Sequence, residues 1–308
     1  MKKWSLLLMA AMMTIVLAAC SMDSGSSSNK NEVNDGASKQ TKKIGLSIST
    51  LNNPFFVTLS DAAEAQAQSN GATLTVADAQ DDASKQASDV ENLIQKGVDL
   101  IIINPVDSAS VATAVEAANN ANIPVITVDR SAEGGEVVAH IASDNVAGGE
   151  LAGDYLMTLI DEGAQIAMLE GVAGSSAARD RGEGFLNIVE GKVNLVASQT
   201  ANFNRTEGLT VMENILQANP DVKAVFAQND EMALGALEAI SAANKDIVVI
   251  GFDATEDAVA KVQAGELAAT VAQQPALIGE KAIETAVKVL NGESVEANIP
   301  VDLELVTK

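Results

Sequence analysis

The 308-residue sequence predicts an α/β protein made of two doubly wound parallel-sheet domains. Three observations predict it. Nine short segments are apolar almost without a break: KIGLSIS, ATLTVAD, DLIIINP, PVITVD, QIAMLEG, VNLVASQ, VKAVFAQ, DIVVIGF and ELAATVAQ. Such runs mark strands buried on both faces, as in parallel sheets covered by helices. Segments of helical length lie between most of them, including 84–96, 109–122, 207–218 and 231–243. Finally, nine strands with about as many helices exceed what one layered unit of ordinary size holds. A composition of 47% hydrophobic residues with only 3% aromatics suits Ala-, Val-, Ile- and Leu-rich helices packed on buried sheets.

The elements follow in chain order. MKK, an apolar run from Trp4 to Leu17 and a closing LAAC read as a signal peptide over residues 1–19, because the run is too short to span a membrane. Leu17-Ala18-Ala19-Cys20 looks like a bacterial lipobox, in which Cys20 receives lipid and becomes the mature N-terminus. Cys20 is the only cysteine, so no internal disulfide can form and the fold must stand on its core. Residues 20–41 continue as a Ser-, Asn- and Gly-rich tether that cannot bury enough apolar surface to order itself. An anchored, tethered module working just outside a membrane is the arrangement usual for bacteria with a single membrane. The first domain runs from Lys42 to about Ser143. The segment EVVAHIASDN (136–145) reads as a crossover strand with no helix before it. A second domain spans residues 144–274. The helical segment 276–290 has no strand of its own, so residues 275–302 return to the first domain, and VDLELV crosses again to leave 303–308 on the second. Asp107, Asp230 and Thr255 occupy positions where helix N-caps are expected.

Charge and motif content exclude several functions. Net charge is −23, and loss of Lys2 and Lys3 with the leader takes it to −25. Such a surface repels phosphate backbones, so nucleic acid is not expected as a partner. His140 is the only histidine and no cysteine nucleophile is available, so a catalytic triad lacks its usual members. Neither G-x-G-x-x-G nor G-x-x-x-x-G-K-[ST] occurs. Asp78, Asp81 and Asp82 lack calcium-loop spacing and read as a turn and a cap. No catalytic residue, metal or cofactor is expected.

Ligands of open α/β sheets bind beyond the carboxyl ends of the strands. The residues following the strands form a narrow chemical set: Asn53, Phe55, Phe56, Asn104, Asp129, Arg130, Arg179, Arg181, Phe203, Asn229, Phe252, Asp253, Gln273 and Gln274. The chain has six Phe, and four are in this set; only Arg205 among the arginines is outside it. A core role would scatter the rings and a surface role would scatter the guanidinia, so the concentration points to a shared cleft. Planar amide, carboxylate and guanidinium groups make paired hydrogen bonds to neighbouring hydroxyls, and Phe rings lie on the C–H faces of a sugar. A small neutral sugar fits this lining best. Blander roles stay open: Asn53 or Asp253 as a cap, Asn104 as a turn residue before Pro105, and Arg179 as a surface residue with Arg181 in the cleft.

The segments TLNNPFF, INPVDS, VITVDR, HIASDN, SSAARDRGEGF, AQNDEMALGA and GFDAT together resemble the ribose-binding proteins of bacterial ABC importers, of the type I periplasmic binding protein class. The resemblance covers nearly all of residues 42–308. It implies two domains that close on D-ribose over a three-segment hinge near Ser143-Asp144, Gln274-Pro275 and Asp302. It also implies ribose contacts from Asn53, Phe55, Phe56, Asn104, Asp129, Arg130, Arg181, Phe203, Asn229, Phe252, Asp253 and Gln273. The one nearby departure is NFNR at Phe203, where the family often carries an acidic residue. The implied partners are D-ribose or a similar monosaccharide, ABC permease subunits and, through lipid on Cys20, the outer face of the cell membrane; the protein is expected to be a monomer. Other small sugars or furanosyl signals (allose, xylose, an autoinducer-like compound) and a sugar-sensing regulatory core are the alternatives. The regulator is disfavoured, because the lipobox and tether stand where its DNA-binding helices would be.

Overall fold

The computed structural model describes residues 41–308; the segments read above as a signal peptide, a lipidated Cys20 and a tether lie, as far as residue 40, outside the described residues. Two six-stranded sheets organise the chain. The first has the order β11 (Asn298–Val301), β5 (Ala139–Ser143), β4 (Val125–Val128), β3 (Leu100–Ile103), β1 (Lys43–Ile48), β2 (Thr73–Asp78), with every neighbouring pair parallel. The second has the order β12 (Glu304–Thr307), β10 (Ala269–Ala272), β9 (Val248–Asp253), β8 (Ala224–Ala227), β6 (Gln165–Glu170), β7 (Asn194–Thr200). Only the β10–β12 pair is antiparallel. The doubly wound α/β class read from the apolar runs is therefore the fold observed.

Strand periodicity sets the layers. On β3, Leu100 and Ile102 face one apolar cluster while Ile101 and Ile103 face another. The first cluster gathers Leu59 of α1 (Pro54–Ser69) and Ile278 and Ile283 of α9 (Pro275–Leu290). The second gathers Val90 and Leu93 of α2 (Ala83–Gln95) and Val115 of α3 (Ala112–Asn120). The other sheet repeats the plan. Leu169, Val225 and Val249 face α6 (Arg205–Ala218), α7 (Asp230–Ala242) and α8 (Glu256–Ala264), while Met168, Phe226 and Ile250 face α4 (Asn145–Met157) and α5 (Ser176–Val189). Each sheet with its helices forms a lobe. The chain passes between the sheets after β5, after β10 and between β11 and β12.

Three helix pairs cross so closely that only a bare Cα fits. A Cβ on Gly279 of α9 would collide with the Leu59 carbonyl of α1, one on Gly184 of α5 with the Val146 carbonyl of α4, and one on Gly235 of α7 with the Arg205 carbonyl of α6. Helix starts depart from the sequence reading in part. Side chains of Asn53, Asp82, Asp144, Asn204 and Asn229 cap α1, α2, α4, α6 and α7. Asp230 is not the cap of α7: Asn229 takes that place, which puts Asp230 at the first helical residue with its carboxylate turned inward. Asp107 serves a turn ahead of α3, accepting from the Ser110 amide at 2.6 Å, and the helix itself starts at Ala112. Thr255 does precede α8, but its hydroxyl makes no capping bond and donates to Asp230 instead. No helix among the described residues is long and apolar enough to cross a membrane.

Candidate functional site

Both sheets reverse strand order once, between β1 and β3 and between β6 and β8. Loops diverge at such a switch point and leave a crevice beyond the strand ends. The two crevices face each other. From the first lobe come Asn53, Phe55 and Phe56 at the start of α1, and Asp129 and Arg130 after β4. From the second come Arg181 on α5, Phe203 after β7, Asn229 after β8, Asp253 ending β9 and Gln273 after β10. With Ala177, these residues line one cleft.

Four charged groups sit at its centre, all nearly sealed from solvent: Asp129 at 4%, Arg130 and Arg181 at 3% and Asp253 at 6% exposure. Arg181 lies 3.7 Å from the Asp253 carboxylate and 4.0 Å from that of Asp129. It is held by donating to the Asn145 side chain at 2.8 Å and the Gln228 carbonyl at 2.7 Å. Arg130 donates to the Pro105 carbonyl at 3.1 Å and its Nε lies 3.5 Å from Asp129. Two cations and two anions cancel, so the set presents forked donors and acceptors with no net charge. The rings back the guanidinia: Arg130 sits 5.2 Å from the centres of both Phe56 and Phe203, and Arg181 lies 3.9 Å over Phe252. Burial pushes the Asp253 carboxyl well above its usual range against the pull of Arg181, and burial pushes the Arg130 guanidinium down.

Backbone strain collects here. Asp129 (φ 60°), Asn202 (52°), Phe203 (57°), Asp253 (122°) and Ala254 (55°) all adopt positive φ without being glycine. Each such residue costs on the order of 1–3 kcal/mol and persists only where its surroundings over-determine it.

Of the twelve residues singled out in the sequence, ten line the cleft. Asn104 and Phe252 sit one layer behind. Asn104 donates to Asp129 at 3.2 Å and accepts from the Ser49 amide, while Phe252 supports Arg181. Asn53 lines the cleft and also caps α1, accepting from the Phe55 amide at 2.9 Å, so the two roles weighed for it are compatible. Arg179 is a half-exposed residue paired with Glu133 at 2.8 Å, and Gln274 donates to the Asp302 carbonyl away from the cleft. Sequence reasoning missed Ala177, whose small side chain carries no chemical signal. It also missed Asn145 and Gln228, and a seam of direct bonds between the lobes. In that seam the Ser108 amide donates to the Gly174 carbonyl at 2.9 Å, and the Ser131 amide to the Ser176 hydroxyl at 2.9 Å.

The only imidazole does not line the cleft. His140 on β5 pairs its Nδ1 with the Thr127 hydroxyl at 2.9 Å, and burial lowers its pKa below the usual 6.5. As pH falls the unfolded chain therefore takes the proton first, so this group's share of stability is present above 6.5 and is lost as pH drops through the folded value. In an NMR titration the single histidine resonance is expected to move with a midpoint below 6.5; a midpoint at or above it would contradict the burial argument. No cluster of three or more metal-type side chains occurs among the described residues.

Residues 44–294 match the sequence family described as periplasmic binding protein domain. The chain belongs to this family. Within the periplasmic binding proteins, the ribose import binding protein RbsB of Bacillus subtilis is 52% identical over 293 residues, 95% of each chain. That of Escherichia coli K12 is 56% identical over 267 residues, 86% of this chain and 90% of the relative. Among solved structures, an ABC transporter solute binding protein from Mycobacterium smegmatis with bound glycerol is 41% identical. It superposes with a TM-score of 0.84 over 87% of this chain and 95% of its own. The Caulobacter myo-inositol binding protein bound to myo-inositol is 34% identical, with a TM-score of 0.84 over 88% of this chain and 94% of that one. The family resemblance read from TLNNPFF and its companions is thereby borne out, and these relatives are binding proteins by name.

Proposed function

We propose that the protein is an extracytoplasmic receptor that captures D-ribose between its two lobes and presents it to an ABC import permease. The observation that carries this reading is the charge-balanced quartet Asp129, Arg130, Arg181 and Asp253, nearly sealed from solvent and faced by Phe56 and Phe203. A buried charged ligand would need an uncompensated opposite charge; a neutral ring of adjacent hydroxyls needs paired donors and acceptors with apolar walls. The names of the relatives, ribose import binding proteins at 52% and 56% identity, support ribose within that class. The quartet's residues come from both lobes, so ligand contacts are complete only when the lobes meet, which makes closure the ligand-favoured state. The three strands of chain between the sheets, near Ser143-Asp144, Gln274-Pro275 and Asp302, act as the hinge, with domains of 42–143 plus 275–302 and 144–274 plus 303–308. Lipid on Cys20 anchors the monomer outside the membrane. No catalysis is required.

Calorimetry against D-ribose, D-xylose, D-allose and myo-inositol tests this. D-ribose is expected to bind one to one and most tightly. Arg130→Ala and Asp253→Ala are each expected to weaken it by about tenfold or more, since each removes hydrogen bonds to a charged group. Unchanged ribose affinity in both variants would sink the site; stronger binding of another polyol would move the assignment to that sugar.

A further inference from the structure

Asp230 is a carboxylate with 0% exposure that the sugar-binding account leaves unused. It is not needed as a cap, because Asn229 already accepts from the Met232 amide at 2.9 Å. Its partners all lie behind the cleft. One oxygen accepts from the Thr255 amide at 2.8 Å and from the Thr255 hydroxyl at 3.2 Å. The other accepts from the Thr270 hydroxyl at 2.7 Å, and that hydroxyl oxygen in turn accepts from the Ala254 amide at 3.1 Å. Gly251 lets the carboxylate lie against β9, where a Cβ would collide with it. Two successive amides, those of Ala254 and Thr255, are thus fixed by one buried group and its threonine. They belong to the turn in which Asp253 and Ala254 take positive φ, at 122° and 55°.

We infer that Asp230 is a positioning residue: with Thr270 it holds the strained turn 253–255 in the one conformation that aims the Asp253 carboxylate into the cleft. Two L-residues in sparsely populated backbone states relax unless something outside the turn fixes them. Asp230 and Thr270 supply that constraint from α7 and β10. Gln273, three residues further along from Thr270, completes the orientation by donating to Asp253 at 2.8 Å. A buried carboxylate that served packing alone would be better replaced by an apolar side chain of similar volume. Burial also pushes the Asp230 carboxyl up to about 7, so the site bears a desolvation penalty. The inference rests on the reading of the cleft as a sugar site only for its effect on affinity; the anchoring itself does not depend on it.

The test compares Asp230→Ala, Thr270→Val and Thr270→Ser with the unaltered protein and with Leu93→Ala, a core substitution in the other lobe. Two quantities are read: D-ribose affinity, and hydrogen exchange at the Ala254 and Thr255 amides without sugar. Asp230→Ala and Thr270→Val are expected to weaken ribose binding by about tenfold or more and to speed exchange at both amides. Thr270→Ser keeps the hydroxyl and is expected to restore both readouts, while Leu93→Ala lowers the melting temperature and leaves both as they were. Unchanged exchange in Asp230→Ala, or in Thr270→Val should the first variant fail to fold, overturns the inference. So does a loss of ribose affinity in Leu93→Ala equal to that in the cleft-lobe variants. Failure of the unaltered protein to bind ribose is a separate result, counting against the proposed ligand, and the exchange data still decide the anchoring.

Discussion

Arg181→Ala is expected to weaken D-ribose binding by about 30-fold or more, because truncating one member of a buried, hydrogen-bonded charge pair costs about 2–5 kcal/mol in binding. The guanidinium stands 3.7 Å from Asp253 and 4.0 Å from Asp129. Without it, two sealed carboxylates face each other with Arg130 as their one remaining cation. The Asn145 and Gln228 acceptors lose their donor at the same time. Arg179, two residues along the same helix, supplies the contrast. It is half exposed and paired with Glu133 at 2.8 Å, so Arg179→Ala should change affinity by no more than about fivefold, as exposed pairs contribute roughly 0–1 kcal/mol. Calorimetry on the two variants measures the difference; equal effects would mean that burial of Arg181 is irrelevant to binding.

Gly184→Val is expected to give the largest loss of stability. Gly184 on α5 faces the Val146 carbonyl of α4, and Gly149 on α4 faces the Arg181 carbonyl of α5, so each helix presents bare backbone to the other. A side chain at that contact cannot rotate away from a peptide carbonyl, and the helices must separate. Overpacking of this kind costs about 3 kcal/mol. For a protein of this size that is a fall in melting temperature of roughly 6–12 °C. Because α5 also carries Ala177 and Arg181, the same displacement moves one wall of the cleft, and affinity should fall with stability. A thermal melt within a degree or two of the unaltered protein, about the scale of a neutral surface change, would show that α4 and α5 can part without cost.

Much of this was legible in the residues. DLIIINP and VKAVFAQ read as strands because they are apolar on both faces, and they are β3 and β8. The scarce rings and guanidinia at the strand ends marked the cleft, and the motif resemblance supplied the individual positions. What stayed illegible was whatever depends on register rather than on residue type. Ser108 and Ser131 are ordinary loop serines, and Ser176 an ordinary first residue of α5, until the lobes meet. Asn145 and Gln228 gain their role only through the direction Arg181 takes. The helix glycines are punctuation in a linear reading, and they mark close crossings only once α4 is set beside α5. Asp230 looked like a helix cap because the signal for a cap is one residue wide, and Asn229 competes for it.

A crystal structure of residues 41–308 grown with D-ribose tests the central claim most directly. The account predicts one ribose between Phe56 and Phe203, its hydroxyls shared among Asp129, Arg130, Arg181 and Asp253. A ribose bound anywhere else, or density for it that touches only one lobe, would contradict the account.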